Sequence, residues 1–253
     1  MKIALVQQNI VWASPKENCS RLDAILKGAL GCDLCVLPEM FSTGFATRPE
    51  GIAEVSPASS LEWMKSKAAQ MDCAVAGSIS TFENGTFYNR FHFVKPDGSV
   101  ASYDKHHLFT YSGEDKAFTA GGKRCVVEWR GVRFLMIVCY DLRFPVWIRN
   151  RKDYDAILCV ASWPVARRKA WDTLVRARAI ENQCFLAAVN RVGADPTCQY
   201  SGGTAFIDPY GETQNFVADG EEGICIADLD MSGLDAFRAK FPVLNDADEF
   251  RMI

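Results

Sequence analysis

Two β-sheets packed face to face, with helices on their outer faces, form the α/β fold that this sequence predicts. Three observations carry the prediction. Strand-like runs outnumber helical ones, the helices come singly between strands, and runs such as Val132–Val138 are apolar throughout, so they are covered on both faces. The chain has 253 residues, 49% of them hydrophobic and 23% charged. That is the upper end for one hydrophobic core, and no linker-like stretch divides it, so a single domain over 1–253 is expected.

The elements follow in order. Ile3–Val6 reads as a strand, and Ser14-Pro15-Lys16-Glu17 reads as a capping box with proline at the first helical position. Leu22, Ile25, Leu26, Ala29 and Leu30 supply the buried stripe of that helix, and Gly31 stops it. A strand, Asp33–Leu37, then ends at Pro38-Glu39, completing a β-α-β unit. The same order returns over 59–79, and two strands meet at the hairpin turn Pro96-Asp97-Gly98. Leu108–Gly122 is polar, rich in glycine and aromatic residues, and without a period, which describes a functional loop lying over another part of the molecule. The strand ending at Cys139 precedes a short helix near Trp147, a strand Ala156–Ala161, a helix Lys169–Asn182 and a strand Phe185–Asn190. Two further strand-turn-strand passages follow, Thr204–Asp208 with the turn Pro209-Tyr210-Gly211-Glu212 and then Gly223–Leu229, and a short helix precedes Phe241. No sequence repeat or low-complexity segment is evident.

Composition narrows the function classes. No apolar stretch reaches membrane-spanning length, and Met1-Lys2 leads directly into the first strand, so neither a membrane span nor a signal peptide is expected. A formal charge of -3 gives no basic footprint for nucleic acid, leaving small molecules as the expected partners. Of the ten cysteines, Cys35, Cys125, Cys159, Cys184 and Cys225 lie in or beside apolar runs, where reduced thiols behave as small hydrophobes. A reducing cytoplasm fits this usage. Cys32 and Cys35 form a Cys-x-x-Cys that runs from a helix end into a strand and has no second ligand pair, unlike a redox or zinc motif.

The chemistry points to strand ends. In open α/β sheets ligands bind beyond the carboxyl ends of the strands, which is where Cys139 and Glu39 both fall. A thiol attacks as thiolate and therefore needs a base or a stabilising cation. His92, His106 and His107 are not aimed at Cys139 by any strand, whereas Glu39 and Lys105, at the end of the second hairpin strand, are placed to converge on it. Singly, each of these residues would more often be structural or solvent-facing.

Glu39 in Leu37-Pro38-Glu39-Met40-Phe41, Lys105 in Tyr103-Asp104-Lys105-His106-His107-Leu108-Phe109, and Cys139 in Cys139-Tyr140-Asp141-Leu142-Arg143-Phe144-Pro145 resemble the Glu-Lys-Cys triad of the nitrilase superfamily of carbon-nitrogen hydrolases. Glu114, Ser162-Trp163-Pro164 and Arg176–Asn182 match its further segments, so the resemblance runs from Ile3 to about Leu229. It implies a four-layer α-β-β-α sandwich and an amidase without cofactor or metal. In it Glu39 is the general base, Cys139 the nucleophile, Lys105 and the Tyr140 N–H the oxyanion donors, and Glu114 an orienting group. Met40–Phe45 and Ser162–Arg168 look most like the omega-amidase branch, which hydrolyses the terminal amide of 2-oxo acids. Such a substrate needs a cation for its carboxylate and an apolar slot. Arg143, Arg167, Arg168 and Arg191 are available, with Phe109, Tyr111 and Trp163 as walls, and Arg143 has the alternative of pairing with Asp141 or Glu39. An aliphatic amidase or an N-carbamoyl amino acid hydrolase is the alternative within the superfamily, and a non-catalytic or ammonia-delivering subunit the alternative of another class. The resemblance also implies a homodimer packed through helices, and Phe241–Ile253, with apolar residues but no helical period, reads as a segment able to cross to a partner.

Overall fold

The computed structural model describes residues 1–250, so the last three residues of the segment expected to reach a partner lie outside the described residues. A first sheet is built from β1 (Lys2–Gln7), β2 (Leu34–Val36), β3 (Glu54–Val55), β4 (Ala74–Glu83), β5 (Thr86–Val94) and β6 (Val100–Asp104). A second contains β7 (Val126–Trp129), β8 (Val132–Val138), β9 (Ala156–Val160) and β10 (Phe185–Val189). After a small ribbon of β11 (Val192–Ala194) and β12 (Gln199–Ser201), β13 (Ala205–Ile207) and β14 (Thr213–Phe216) extend the second sheet, and β15 (Gly223–Asp228) returns to pair with β1. The orders are β15-β1-β2-β4-β5-β6, with β3 on β4, and β14-β13-β10-β9-β8-β7. Each sheet has three parallel central strands, β1-β2-β4 and β10-β9-β8, flanked by antiparallel ones, and the two-residue β3 runs parallel to the end of β4.

Period-two alternation assigns the layers. Ile3, Leu5, Leu34, Val36, Phe91 and Phe93 face the second sheet, where Phe134 stacks on Phe93 with ring centres 6.1 Å apart. Ala4, Val6, Cys35 and Val75 face outward and pack with Leu22 and Leu26 at α1 (Pro15–Ile25) and its short 3-10 extension, and with Met64 and Ala68 of α2 (Ser59–Met71). On the far side, α3 (Pro145–Ile148) follows the Cys139 turn, and α4 (Arg168–Asn182) buries Trp171, Val175 and Ala179 against the second sheet. The short α5 (Met231–Lys240) ties back through Arg238 to Asp155, 2.9 Å away. The layer order is α-β-β-α, as the sequence predicts, and no helix among the described residues is long and apolar enough to cross a membrane.

Several local readings change. α1 gives way to the 3-10 turn Leu26–Ala29, which rotates Leu30 off the buried stripe and leaves it 68% exposed. The Ser14 hydroxyl lies 3.3 Å from the Glu17 carboxylate and makes no bond to the helix backbone, so the capping box does not form. Strands β3, β7, β11 and β12, two to four residues each, carry too little pattern to be foreseen. Cys32 and Cys35 are buried free thiols, and Cys35 lies 3.4 Å from Cys73 sulfur to sulfur.

The loop over 108–122 is clamped at its far end, where the Gly121 N–H donates to the Lys105 carbonyl at 2.9 Å. A Cβ on Gly121 would overlap the Asp104 carbonyl oxygen, so no side chain fits there without moving backbone. Gly121→Ala should therefore cost roughly 1–3 kcal/mol of stability, the usual range for overpacking, read from the shift of the denaturant midpoint. A wild-type midpoint would mean the clamp is loose.

Candidate active site

Three chain turns, each at the carboxyl end of a strand, bring the central side chains together. Beyond β2, Leu37 still donates to the Ala76 carbonyl at 2.7 Å; Pro38 ends the pairing and Glu39 follows, fully buried. The next residue, Met40, has φ 44°, and the Ser78 hydroxyl accepts its N–H at 2.9 Å. Lys105 directly follows β6, its N–H held by the Asn89 carbonyl at 3.0 Å. Cys139 directly follows β8 and also has a left-handed backbone, φ 45°. Such a conformation costs a non-glycine residue on the order of 1–3 kcal/mol and persists only where the surroundings impose it. Here Asp141 imposes it. Its buried carboxylate accepts the Val138 N–H at 3.0 Å, the Tyr103 hydroxyl at 2.8 Å and the His107 N–H at 2.9 Å, binding the cysteine turn to the segment around Lys105. The histidines serve this scaffold. The His107 ring also meets Asp141 at 2.8 Å and stacks on Phe144, while His106 stacks on Trp147.

Lys105 is the electrostatic centre. Its Nζ donates to Glu39 Oε1 at 3.0 Å and to both oxygens of Glu114, at 3.1 and 2.9 Å, with all three side chains out of solvent. Burial alone would pull the lysine pKa down, but Glu114 and Glu39 outweigh it and hold the ammonium above its ordinary range. Glu114 is pushed up by burial and by Glu39, with Lys105 opposing. The Ser162 N–H donates to Glu39 Oε2 at 2.7 Å, and the Phe109 N–H to Glu114 Oε2 at 2.6 Å. Burial, then the Glu39 charge, drives the Cys139 thiol well above the usual range, and Lys105 offsets this only in part. At rest the Cys139 side chain is therefore a protonated thiol.

A cavity of about 710 Å³ opens over the thiol. Lys105, Cys139 and Tyr140 lie in its wall with Phe109, Tyr111, Arg143 and Trp163, and Glu39 and Glu114 are buried behind them. Arg143 lies over the Trp163 ring at 4.7 Å and Arg167 over Phe109 at 5.1 Å. Among the described residues neither has a carboxylate partner; Asp141 and Glu39 are satisfied by other donors, so the ion-pair alternative for Arg143 does not hold. Arg191 is a correction. It is wholly buried beneath the wall, donating to the carbonyls of Ile10, Val192 and Ala194 with the Tyr200 ring stacked on it, and it does not reach the cavity. Arg168 is paired with Asp172 and Asp219.

Sequence reasoning missed Arg48 and Trp12, which also line the cavity, and the buried Asn89 and Asn190. Asn190 accepts the Trp163 N–H at 2.8 Å and returns an N–H to its carbonyl at 3.0 Å, fixing the Ser162-Trp163 strand end. Asn89 carried one signal. It shares the inward face of β5 with Phe91 and Phe93, a polar residue in an apolar row.

The sequence profile described as Carbon-nitrogen hydrolase matches residues 2–239. The chain belongs to that family. This hydrolase is 45% identical to omega-amidase YafV of Escherichia coli (strain K12), over 100% of the chain and 98% of the relative. It is 34% identical to the 2-oxoglutaramate amidase of Bacillus subtilis (strain 168), over 96% of the chain and 96% of the relative. Its fold overlays that of XC1258 from Xanthomonas campestris, a CN-hydrolase superfamily protein crystallised with an arsenic adduct in the active site, with a TM-score of 0.97 and 40% identity over 100% of this chain and 98% of the other.

The left-handed turn at Cys139 makes a stability prediction for the hydrolase. Glycine adopts positive φ freely, so Cys139→Gly should be about 1 kcal/mol more stable than Cys139→Ala by denaturant unfolding, with both variants devoid of amide turnover. Alanine equal to or better than glycine would show that the turn stores no strain.

Proposed function

We propose that this hydrolase is an omega-amidase that converts the terminal amide of 2-oxo acids, 2-oxoglutaramate and 2-oxosuccinamate among them, to the 2-oxo dicarboxylate and ammonia. The observation that carries the reading is the pair of guanidinium groups, Arg143 and Arg167, each backed by an aromatic ring and without a carboxylate partner among the described residues, in one cavity with the thiol. A cation held this way in a largely apolar cavity suits a substrate carboxylate. The full-length likeness to an omega-amidase supports the same substrate class.

The chemistry follows from the protonation states. Because the thiol is protonated at rest, attack on the amide carbon and loss of the sulfur proton to Glu39 proceed together. The negative charge that develops on the amide oxygen falls to Lys105, whose positive charge is secured by the two carboxylates, and to the Tyr140 N–H. Glu39 returns its proton to the departing nitrogen, ammonia leaves, and a thioester remains on Cys139. The same carboxylate then takes a proton from water as it attacks the thioester. Collapse releases the second carboxylate of the product and restores the thiol. Glu114 is saturated by Lys105, Asn89 and the Phe109 N–H, so its part is to hold the ammonium in place.

Ammonia release should be faster with 2-oxoglutaramate than with butyramide, which lacks the carboxylate, by about two orders of magnitude or more in kcat/KM, because a neutral substrate covers the half-buried guanidinium groups without pairing them. Arg143→Ala or Arg167→Ala should erase that preference while butyramide is still hydrolysed. Equal kcat/KM for both amides in the wild-type protein would move the assignment to a general aliphatic amidase.

A further inference from the structure

Asn89 sits in the middle of β5, 1% exposed and behind the cavity wall, with its side chain in the row that Phe91 and Phe93 continue. Burying an amide there is costly unless it is hydrogen-bonded. Its Nδ2 donates to Glu39 Oε1 at 2.8 Å and to Glu114 Oε1 at 3.2 Å, whereas its Oδ1 has no partner among the described residues. Those same two carboxylate oxygens accept from Lys105 Nζ, at 3.0 and 3.1 Å. The carboxylates are therefore bridged twice, once by a cation and once by a neutral amide. Lys105 cannot neutralise both, so one formal negative charge is left over in a buried site, and burial pushes Glu114 toward holding a proton.

We propose that Asn89 is a positioning residue for the amidase reaction, whose two N–H bonds keep Glu39 and Glu114 side by side as ionised acceptors and so keep Glu39 available as the base. Both amide hydrogens go to carboxylate oxygens while the amide oxygen stays unpaired, so the orientation is dictated by the acids. A carboxyl group protonated on either bridged oxygen would turn an acceptor into a donor facing another donor. The amide thus disfavours the protonated form without adding charge. The charged or titratable groups around the bridge are Lys105 at the end of β6, Glu114 on the overlying loop, Cys139 after β8 and Cys159 in β9. Arg90, the next residue on β5, points to the other face and is engaged by Asp104 and Glu83.

The inference rests on Glu39 serving Cys139 as above, but not on which amide is the substrate. Asn89→Leu keeps the approximate shape and removes both donors. The two acids should then bind a proton more tightly, so the acid limb of the kcat/KM profile should move up by about one pH unit. At the plateau KM should stay within about twofold, since the side chain does not meet the substrate, and kcat should fall roughly tenfold as the acids lose their alignment. If that variant does not fold, Asn89→Ala carries the same test. It too removes both donors without adding a charge, so the limb moves in the same direction. The pH dependence of Cys139 alkylation by iodoacetamide gives a second reading without any amide turnover. An acid limb unmoved in both profiles overturns the proposal, whatever happens to kcat, because a merely structural asparagine would lower rates without changing where the site takes up its proton. Failure of the amidase reading itself would appear elsewhere, as ammonia release surviving in Cys139→Ala.

Discussion

An ammonium group with no access to water is the constraint around which this molecule is arranged. Moving such a charge out of solvent carries an effective penalty of several kcal/mol, recovered only with close geometry and satisfied partners. Lys105 meets that condition because Glu39 and Glu114 lie within 3.1 Å and are themselves held by the N–H groups of Ser162, Asn89 and Phe109. Those partners come from the ends of β2 and β9, from the middle of β5 and from the loop over 108–122. The ion cluster therefore closes the far end of the sandwich, where both sets of parallel strands terminate. It specifies how the two sheets must meet more sharply than apolar packing alone would.

Cys139 is set beside that cluster rather than within it. Its protonated state at rest follows from burial and the Glu39 charge, which in the proposed reaction makes proton removal part of the attack instead of a prior ionisation. Such a thiol has to be held in place by the backbone. The left-handed turn at Cys139, locked from below by Asp141, does this, and Asp141 also grips the chain just after Lys105, so the two segments are tied together.

Much of this was legible in the sequence because strand ends are legible. Glu39, Lys105 and Cys139 each follow a run with strand composition, and the rule that strand carboxyl ends meet at a ligand site brings them together. Glu114 was reachable only through the family resemblance, since an acid in a polar loop has no pattern to distinguish it; its burial depends on a clamp at Gly121 that is a tertiary fact. The arginines divide for a similar reason. Arg143 and Arg167 lie in the cavity wall and Arg191 lies below it, because the hairpin of β11 and β12 folds Tyr200 over its guanidinium, and those three-residue strands leave no periodicity to read. Leu30 fails for a local reason, the switch from α-helical to 3-10 spacing at Leu26, which changes the face by a fraction of a turn.

Unfolding of Lys105→Met by denaturant, compared with the same variant carrying Glu39→Gln and Glu114→Gln, tests the central claim most directly. If the buried ammonium organises the site, removing it alone leaves two uncompensated carboxylates and should cost about 3–5 kcal/mol, and neutralising both acids should restore much of that loss. A Lys105→Met protein as stable as the wild type would contradict the account, because the cluster would then be a passenger in a fold held by its apolar layers.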